Sequence, residues 1–437
     1  LGHAAIVIGT RSTLFTPMPH LGLIIVDEEH DLSFKQQEGF RYNARDLAIL
    51  RAQLARCPVV LGSATPSLES LANAKQGRYQ HLFLKERAAN VAQPTIKLID
   101  LRGQKLQAGL TSALKEAIAI RLKKDEQVII FLNRRGFAPV LLCHACAWQA
   151  KCPRCDAKIT LHRNPVRLHC HHCGFSQQPP SHCPECNSAE LKAIGAGTVR
   201  VEETLQELFP KVAIHRIDRD STQRKDSWHN LYADIENNKA AILVGTQMLA
   251  KGHHFPNVTL VALLEADSGL FGADFRASER VAQLITQVAG RAGRAHKAGL
   301  VLLQSHQPEH PLLQQLLSSG YQGFAELALA EREMIGMPPY GYLALVRAEA
   351  HYPEVALNFL TEAMSRGQVL DNAPEFWGPI PAPMEKKAGI FRAHLLLKSN
   401  QRSRLQQFLK HWLTIVNGLP DAKRLRWHID VDPQELA

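Results

Sequence analysis

Leu21-Gly22-Leu23-Ile24-Ile25-Val26-Asp27-Glu28-Glu29-His30 is an apolar run that stops at once in three acids and a histidine. So short and so apolar a run reads as a strand buried on both faces, as the strands of a parallel sheet are. In an open α/β sheet ligands sit beyond the carboxyl ends of the strands, which is where residues 27–30 fall. An aspartate there suits Mg²⁺ on a nucleotide's phosphates, and the glutamate after it suits orienting or deprotonating an attacking water. The plain alternative is an acidic turn capping the next helix.

Two neighbouring runs repeat the pattern. Ala5 to Ile8 ends in Gly9-Thr10-Arg11-Ser12, and Pro58 to Leu61 ends in Gly62-Ser63-Ala64-Thr65-Pro66. Between the second and third runs, Phe34, Lys35, Phe40, Arg41, Tyr42 and Arg45 interleave rings with cations, the composition of a loop that stacks on bases and touches phosphates. A surface loop docked on its own core would look the same. Residues 88–94 have no periodicity and read as a linker.

A second α/β unit follows, with a helix over Ser112 to Leu122 and a strand over Gln127 to Leu132. After an interruption come a strand at Leu191 to Ile194, a helix over Glu202 to Phe209, and strands at Ala213 to Asp218, Ala241 to Val244 and Thr259 to Leu264. A helix over Ser278 to Val288 then delivers Gln287-Val288-Ala289-Gly290-Arg291-Ala292-Gly293-Arg294. Two guanidinium forks so spaced can face a triphosphate and neutralise the charge that develops in phosphoryl transfer.

The interruption holds eight of the nine cysteines, as four C-x-x-C pairs: Cys143/Cys146, Cys152/Cys155, Cys170/Cys173 and Cys183/Cys186. Four such pairs furnish two tetrahedral thiolate zinc sites. A disulfide framework suits a small secreted domain, not a chain able to build its own core. Two metals can be shared in three ways. Spacing favours nesting, with Cys152, Cys155, Cys170 and Cys173 inside and Cys143, Cys146, Cys183 and Cys186 outside.

At 437 residues the chain has room for two to four domains. No apolar run is long enough to span a membrane, and clustered cysteine suits a reducing cytoplasm. A formal charge of +10 points weakly to a polyanionic partner. From Met337, after which Pro338-Pro339 punctuates the chain, strand-like and helical stretches alternate as in a small α+β domain. Lys386, Lys387, Arg392, Lys398, Arg402 and Arg404 give it a basic face.

Taken together, Asp27-Glu28-Glu29-His30, residues 62–66, Gly245-Thr246-Gln247-Met248-Leu249-Ala250-Lys251-Gly252-His253-His254-Phe255 and residues 287–294 resemble the ordered motifs of superfamily-two helicases. With the cysteine insertion added, the whole chain resembles the bacterial PriA primosomal replication-restart helicases. The resemblance implies two RecA-like lobes, the first truncated. Residues 1–90 would be the remainder of lobe one, 91–142 and 187–336 lobe two, 143–186 a double zinc insertion and 337–437 the C-terminal α+β domain.

The resemblance further implies a 3′–5′ DNA helicase that hydrolyses ATP with Mg²⁺, carries two structural zinc ions and restarts replication at stalled or collapsed forks. Asp27, Glu28, His30, Gln287, Arg291 and Arg294 would be catalytic, with Ser63 and Thr65 coupling nucleotide state to DNA. Asp27, Glu28, Gly252, Arg291 and Arg294 would bind nucleotide. Thr10, Arg11, Ser12, Phe34, Lys35, Phe40, Arg41, Tyr42, Arg45, Gly245 and Thr246 would meet nucleic acid. Implied partners are forked and single-stranded DNA, single-strand-binding protein, other primosome proteins and the machinery that loads the replicative helicase, in a bacterial cytoplasm at the nucleoid.

Two departures accompany the resemblance. No G-x-x-x-x-G-K-[ST] loop occurs, and the family's N-terminal DNA-binding region has no counterpart, so the chain alone is expected not to hydrolyse ATP at a useful rate. Two other readings stand beside the motor. A non-catalytic zinc-containing DNA-binding or primosome scaffold would have no need of Glu28 opposite two arginines. A restriction-type translocase would have no need of the cysteines.

Overall fold

A computed structural model describes residues 4–84, 94–132, 140–143, 146, 148, 150–154, 159–163, 166–170, 175–189, 191–194, 198–217, 225–246, 249, 255–264, 266, 274–293 and 297–436. The expected linker at 88–94 lies almost wholly outside these residues.

The acidic run does end a strand. β1 (Ile24–Asp27) is followed by α1 (Ala44–Ala55), then by β2 (Val59–Gly62), which pairs parallel with β1, and by α2 (Leu68–Lys75). Asn43 and Ser67 cap the two helices by accepting the amides of Arg45 and Ser70. Ala5 to Ile8 does not form the expected strand: Ile6 and Ile8 are 80% and 92% exposed. An apolar run becomes a strand only where a neighbour completes its hydrogen-bond ladder. Among the described residues this sheet consists of β1 and β2 alone, and Ile25 and Val60 are exposed as well.

The second unit is built on a six-stranded, all-parallel sheet. β3 (Thr95–Asp100), α3 (Ser112–Leu122) and β4 (Gln127–Leu132) come first. The cysteine-rich stretch then folds as its own antiparallel sheet of β5 (Val140–Cys143), β6 (Thr160–Arg163), β7 (Val166–His169), β8 (Ser176–Gln177) and β9 (Leu191–Ile194). The strand expected at 191–194 therefore forms, but it pairs with β5 rather than resuming the larger sheet.

The parallel sheet continues with α4 (Thr198–Leu208), β10 (Ala213–Ile217), α5 (Lys225–Asn237), β11 (Ala241–Gly245), β12 (Val258–Leu264), α6 (Ala277–Ala289), β13 (Leu300–Ser305) and α7 (Pro311–Met334), which kinks at Gly320. Its strand order is β10-β11-β4-β12-β13-β3. Every residue of β4, β11 and β12 is buried, because alternate side chains feed opposite cores. Phe131, Leu243 and Leu263 pack with α6 and α7, while Ile130, Val244 and Ala262 pack with α3 and α4. Leu68 and Ala72 of α2 enter the first of these cores and so seat lobe one on lobe two.

The tail is a four-stranded antiparallel sheet of β14 (Tyr342–Ala350), β15 (Glu375–Lys387), β16 (Ile390–Ser399) and β17 (Arg426–Val431), with α8 (Pro353–Gln368) and α9 (Arg402–Asn417). The order is β15-β16-β14-β17. Prolines 379, 381 and 383 hid β15 from the sequence reading. It survives as an edge strand with two register shifts, where prolines are tolerated. Helices α8 and α9 cover one face through Phe359, Phe408 and Trp412. On the other, Leu343, Leu345 and Leu396 pack with Met337 and Phe275.

Candidate functional site

The carboxyl ends of β1 and β2 and the end of α6 meet. Glu28 lies in the left-handed region at φ 49°, so the chain turns sharply directly after Asp27, whose carboxylate accepts the Glu28 amide at 2.9 Å. A non-glycine residue held there stores of order 1–3 kcal/mol of strain. The turn leaves the Glu28 side chain about half exposed (49%), with its Oε2 3.6 Å from His30 Nδ1.

His30 is the hinge of a polar chain between the lobes. Its Nδ1 lies 2.7 Å from Ser63 Oγ, and its Nε2 meets the Gln287 side-chain amide. Gln287 Nε2 also donates to Thr65 Oγ1 at 3.3 Å. Residues from the turn after β1, from the turn after β2 and from α6 thus touch one another, although Gln287 is 257 positions from His30 in sequence.

Beneath this chain lies a buried charge cluster that the sequence reading did not single out. Glu29 accepts the Ser67 amide at 2.6 Å, the Ser70 hydroxyl at 3.0 Å and Arg45 Nη1 at 3.1 Å. From lobe two, Glu279 accepts the Leu68 amide at 3.0 Å and Arg332 Nη2 at 2.8 Å, while Arg276 meets Glu69 at 2.5 Å. Two carboxylates from two lobes therefore satisfy the first amides of α2, where the helix dipole favours them. Burial raises the Glu69 carboxyl, but Arg276, then Arg45 and Arg332, hold it down at about 2. Tyr321 closes the cluster by donating to the Pro66 carbonyl at 2.7 Å. No local pattern could have revealed these partners, which lie up to 255 positions apart.

The aromatic loop divides. Phe40 is 75% exposed and stands 5.9 Å from the Tyr42 ring, which in turn meets Phe15 edge-on at 5.1 Å. Lys35 and Arg45, expected to meet phosphates, are instead buried and ion-paired, Lys35 with Asp430 at 2.9 Å and Arg45 with Glu29 and Asp46. Aliphatic stems let a cation bury wherever a carboxylate waits, and composition does not show the carboxylate. Phe34 and Arg41 are partly buried, and Thr10 and Ser12 are exposed. Arg11 reaches across to the loop, donating to the Ser33 carbonyl at 3.0 Å and the Lys35 carbonyl at 3.3 Å.

In lobe two Gly245 is buried, and a Cβ there would lie 2.3 Å from the Ile217 carbonyl oxygen, so packing already requires the glycine. Thr246 is partly buried. Gly293, at φ 67°, lets its backbone abut Gly299. Arg291 follows the helix end and is partly buried. Gly252 and Arg294 lie outside the described residues.

In the cysteine-rich sheet the four outer sulfurs, of Cys143, Cys146, Cys183 and Cys186, lie within 4.8 Å of one another, with Cys143 to Cys186 and Cys146 to Cys183 each 3.6 Å. A zinc ion with bonds of about 2.3 Å sets a tetrahedral edge of about 3.8 Å, so this donor set fits the metal. The Trp148 amide lowers the Cys146 thiol, yet burial and its three cysteine neighbours push it up to about 12. Of the inner set, Cys152 and Cys170 are buried, and Cys155 and Cys173 lie outside the described residues.

Three family models match: the primosomal protein N C-terminal domain over residues 333–434, the PriA DNA helicase Cys-rich region over 152–178 and the helicase conserved C-terminal domain over 189–296. The replication restart protein PriA of Haemophilus influenzae is 51% identical over 437 residues, covering 100% of this chain and 60% of that protein. That of Bacillus subtilis is 40% identical over 435 residues, covering 98% and 54%. This chain belongs to the PriA family.

It spans 60% of the length of the Haemophilus PriA. The PriA Cys-rich match falls on the zinc-binding region and takes in the inner cysteines, while the assembled outer four flank it. Metal analysis of the purified protein is expected to give about two zinc ions per chain, and Cys183→Ser about one. A value near zero or one for the unmodified protein would sink the two-site arrangement. Three of the basic residues expected on the face of the PriA C-terminal domain engage the protein itself. Arg392 donates to the Met384 carbonyl at 3.0 Å, Lys398 lies 5.0 Å from the Trp377 ring centre, and Arg402 pairs with Asp432 at 3.2 Å. Among the described residues no helix is long and apolar enough to cross a membrane.

Proposed function

We propose that the protein containing this chain is an ATP-dependent 3′–5′ DNA helicase that recognises stalled or collapsed replication forks and initiates primosome assembly. The contact of Gln287 with both His30 and Thr65 carries the reading. It joins the strand end that would bind metal and water to the lobe that would supply arginines, so a change at the nucleotide moves one lobe against the other.

In this reading Asp27 takes Mg²⁺ on the nucleotide's phosphates, Glu28 orients the attacking water, and Arg291 with Arg294 faces the phosphates. The strained turn at Glu28 holds the carboxylate beyond the sheet instead of letting it fold back as a cap. Phe40 and Tyr42 offer rings for base stacking beside Arg41 and the segment Thr10 to Ser12. The zinc module is a closed structural unit that presents a surface and catalyses nothing. Single-strand-binding protein, other primosome proteins and the loading machinery for the replicative helicase belong to the same proposal through the family.

The test uses the full-length protein. With ATP and Mg²⁺ it is expected to displace a strand from forked DNA and from a partial duplex with a 3′ single-stranded tail loaded on the tracking strand. Displacement only from the 5′-tailed substrate would overturn the polarity, and no ATP-dependent displacement from any of them would overturn the motor.

A further inference from the structure

Lys35 crosses out of lobe one and is swallowed by the C-terminal domain. Its ammonium group lies 2.9 Å from Asp430 Oδ1 and donates to the Val431 carbonyl at 2.7 Å and to the Asp432 carbonyl at 3.4 Å. Lys35 and Asp430 are 4% and 1% exposed, and they stand 395 positions apart. Arg347, on the neighbouring strand β14, holds Asp430 Oδ2 at 3.2 Å from the other side. A buried carboxylate between two cations is costly to expose, and losing one partner leaves the remaining charge uncompensated.

A simple interdomain tie would fasten any convenient surface. This one fastens the root of the aromatic loop. Lys35 pairs with Asn43 in an isolated antiparallel bridge, and the Gln36 amide donates to the Tyr42 carbonyl at 2.8 Å. The two ends of the loop are thereby drawn together, with exposed Phe40 at its tip. Arg11 grips the same root through the Ser33 and Lys35 carbonyls. On the far side the loop runs directly into the strand end, since the Asp31 amide donates to the Glu28 carbonyl at 2.8 Å. Burial first, then the Arg41 and Arg347 cations, lowers the His428 imidazole of β17 to about 4.

We infer that Asp430 is a positioning residue: by holding Lys35, the C-terminal sheet fixes the aromatic loop in the geometry through which DNA on its tip reaches Glu28. The C-terminal domain is then part of the coupling device, and a partner that shifts β17 alters how strongly DNA stimulates hydrolysis without touching nucleotide or DNA. This deepens the helicase reading and rests on it.

The experiment uses the full-length protein. Asp430→Asn keeps the shape and removes the charge. It is expected to lower the DNA-stimulated kcat for ATP by about fivefold or more, the lower end of ordinary coupling between sites, while the Kd for single-stranded DNA shifts less than about twofold. In hydrogen exchange, amides of residues 31–43 should exchange faster and those of α9 should not. Lys35→Met acts from the loop side, leaves Asp430 paired with Arg347, and should speed exchange over the same residues, so the tie is tested even where Asp430→Asn disturbs its own domain.

Unchanged exchange at 31–43 in both variants overturns the inference, and so does a kcat loss matched by an equal loss of DNA affinity. An unmodified protein with no DNA-stimulated hydrolysis overturns the helicase reading instead, and the exchange comparison still decides whether Asp430 holds the loop.

Discussion

Replacing Glu28 by Gln in the full-length protein is expected to lower DNA-stimulated ATP hydrolysis by about 100-fold or more, in line with loss of a positioned base, with DNA affinity kept. The amide retains the size of the carboxylate and its chance of a hydrogen bond with His30, 3.6 Å away, so the turn at φ 49° need not move. What it loses is the negative charge that orders and polarises water beside a phosphate. Because the side chain is half exposed and beyond the sheet, no core contact is sacrificed. Steady-state hydrolysis with and without single-stranded DNA, beside a binding titration, reads the result. A kcat within about threefold of the unmodified protein would transfer the role to another group.

The second large effect is expected on stability. Glu279→Ala removes a carboxylate that is 4% exposed, that accepts the Leu68 amide and Arg332, and that lies 3.8 Å from Arg276. Arg276 and Arg332, each 5% exposed, would stay buried with less compensation. Breaking a buried pair from one side costs about 3–5 kcal/mol, far more than the pair contributes over a well-packed apolar replacement. Spread over a unit of this size, that cost lowers the first thermal transition by about 5–10 °C. Glu279→Gln, still able to accept from Leu68, should lose roughly half as much. Scanning calorimetry of the three proteins distinguishes these outcomes, and a transition for Glu279→Ala within about 1 °C of the unmodified protein would show that water already screens the cluster.

These two residues also mark how far the sequence could be read. Asp27 and Glu28 were legible because strand ends are local: six apolar residues and a break in polarity place them beyond a sheet. The strands β4, β11 and β12 were legible for the same reason, since a strand buried on both faces has no polar alternation to confuse it. The outer cysteines were legible because ligand spacing is set by the metal and not by the rest of the fold. Ala5 to Ile8 failed because an apolar run specifies a wish for burial but not a partner. β15 failed because its prolines argue against any strand except one at an edge, and edge position is a property of the finished sheet.

The cation-rich loop shows the same divide within a few residues. By composition Lys35, Arg41 and Arg45 are alike, but Asp430 claims the first and Glu29 the third, through contacts spanning 395 and 16 positions. The sequence by itself determined the chemistry available to this protein: the acidic strand end, the arginine turn, the four cysteine pairs and the family they resemble, because each is written in neighbouring residues. Only the tertiary structure decided which charges stay exposed and which hold the lobes together. Burial and pairing depend on what arrives from hundreds of residues away, and a buried ion pair has no local pattern to announce it.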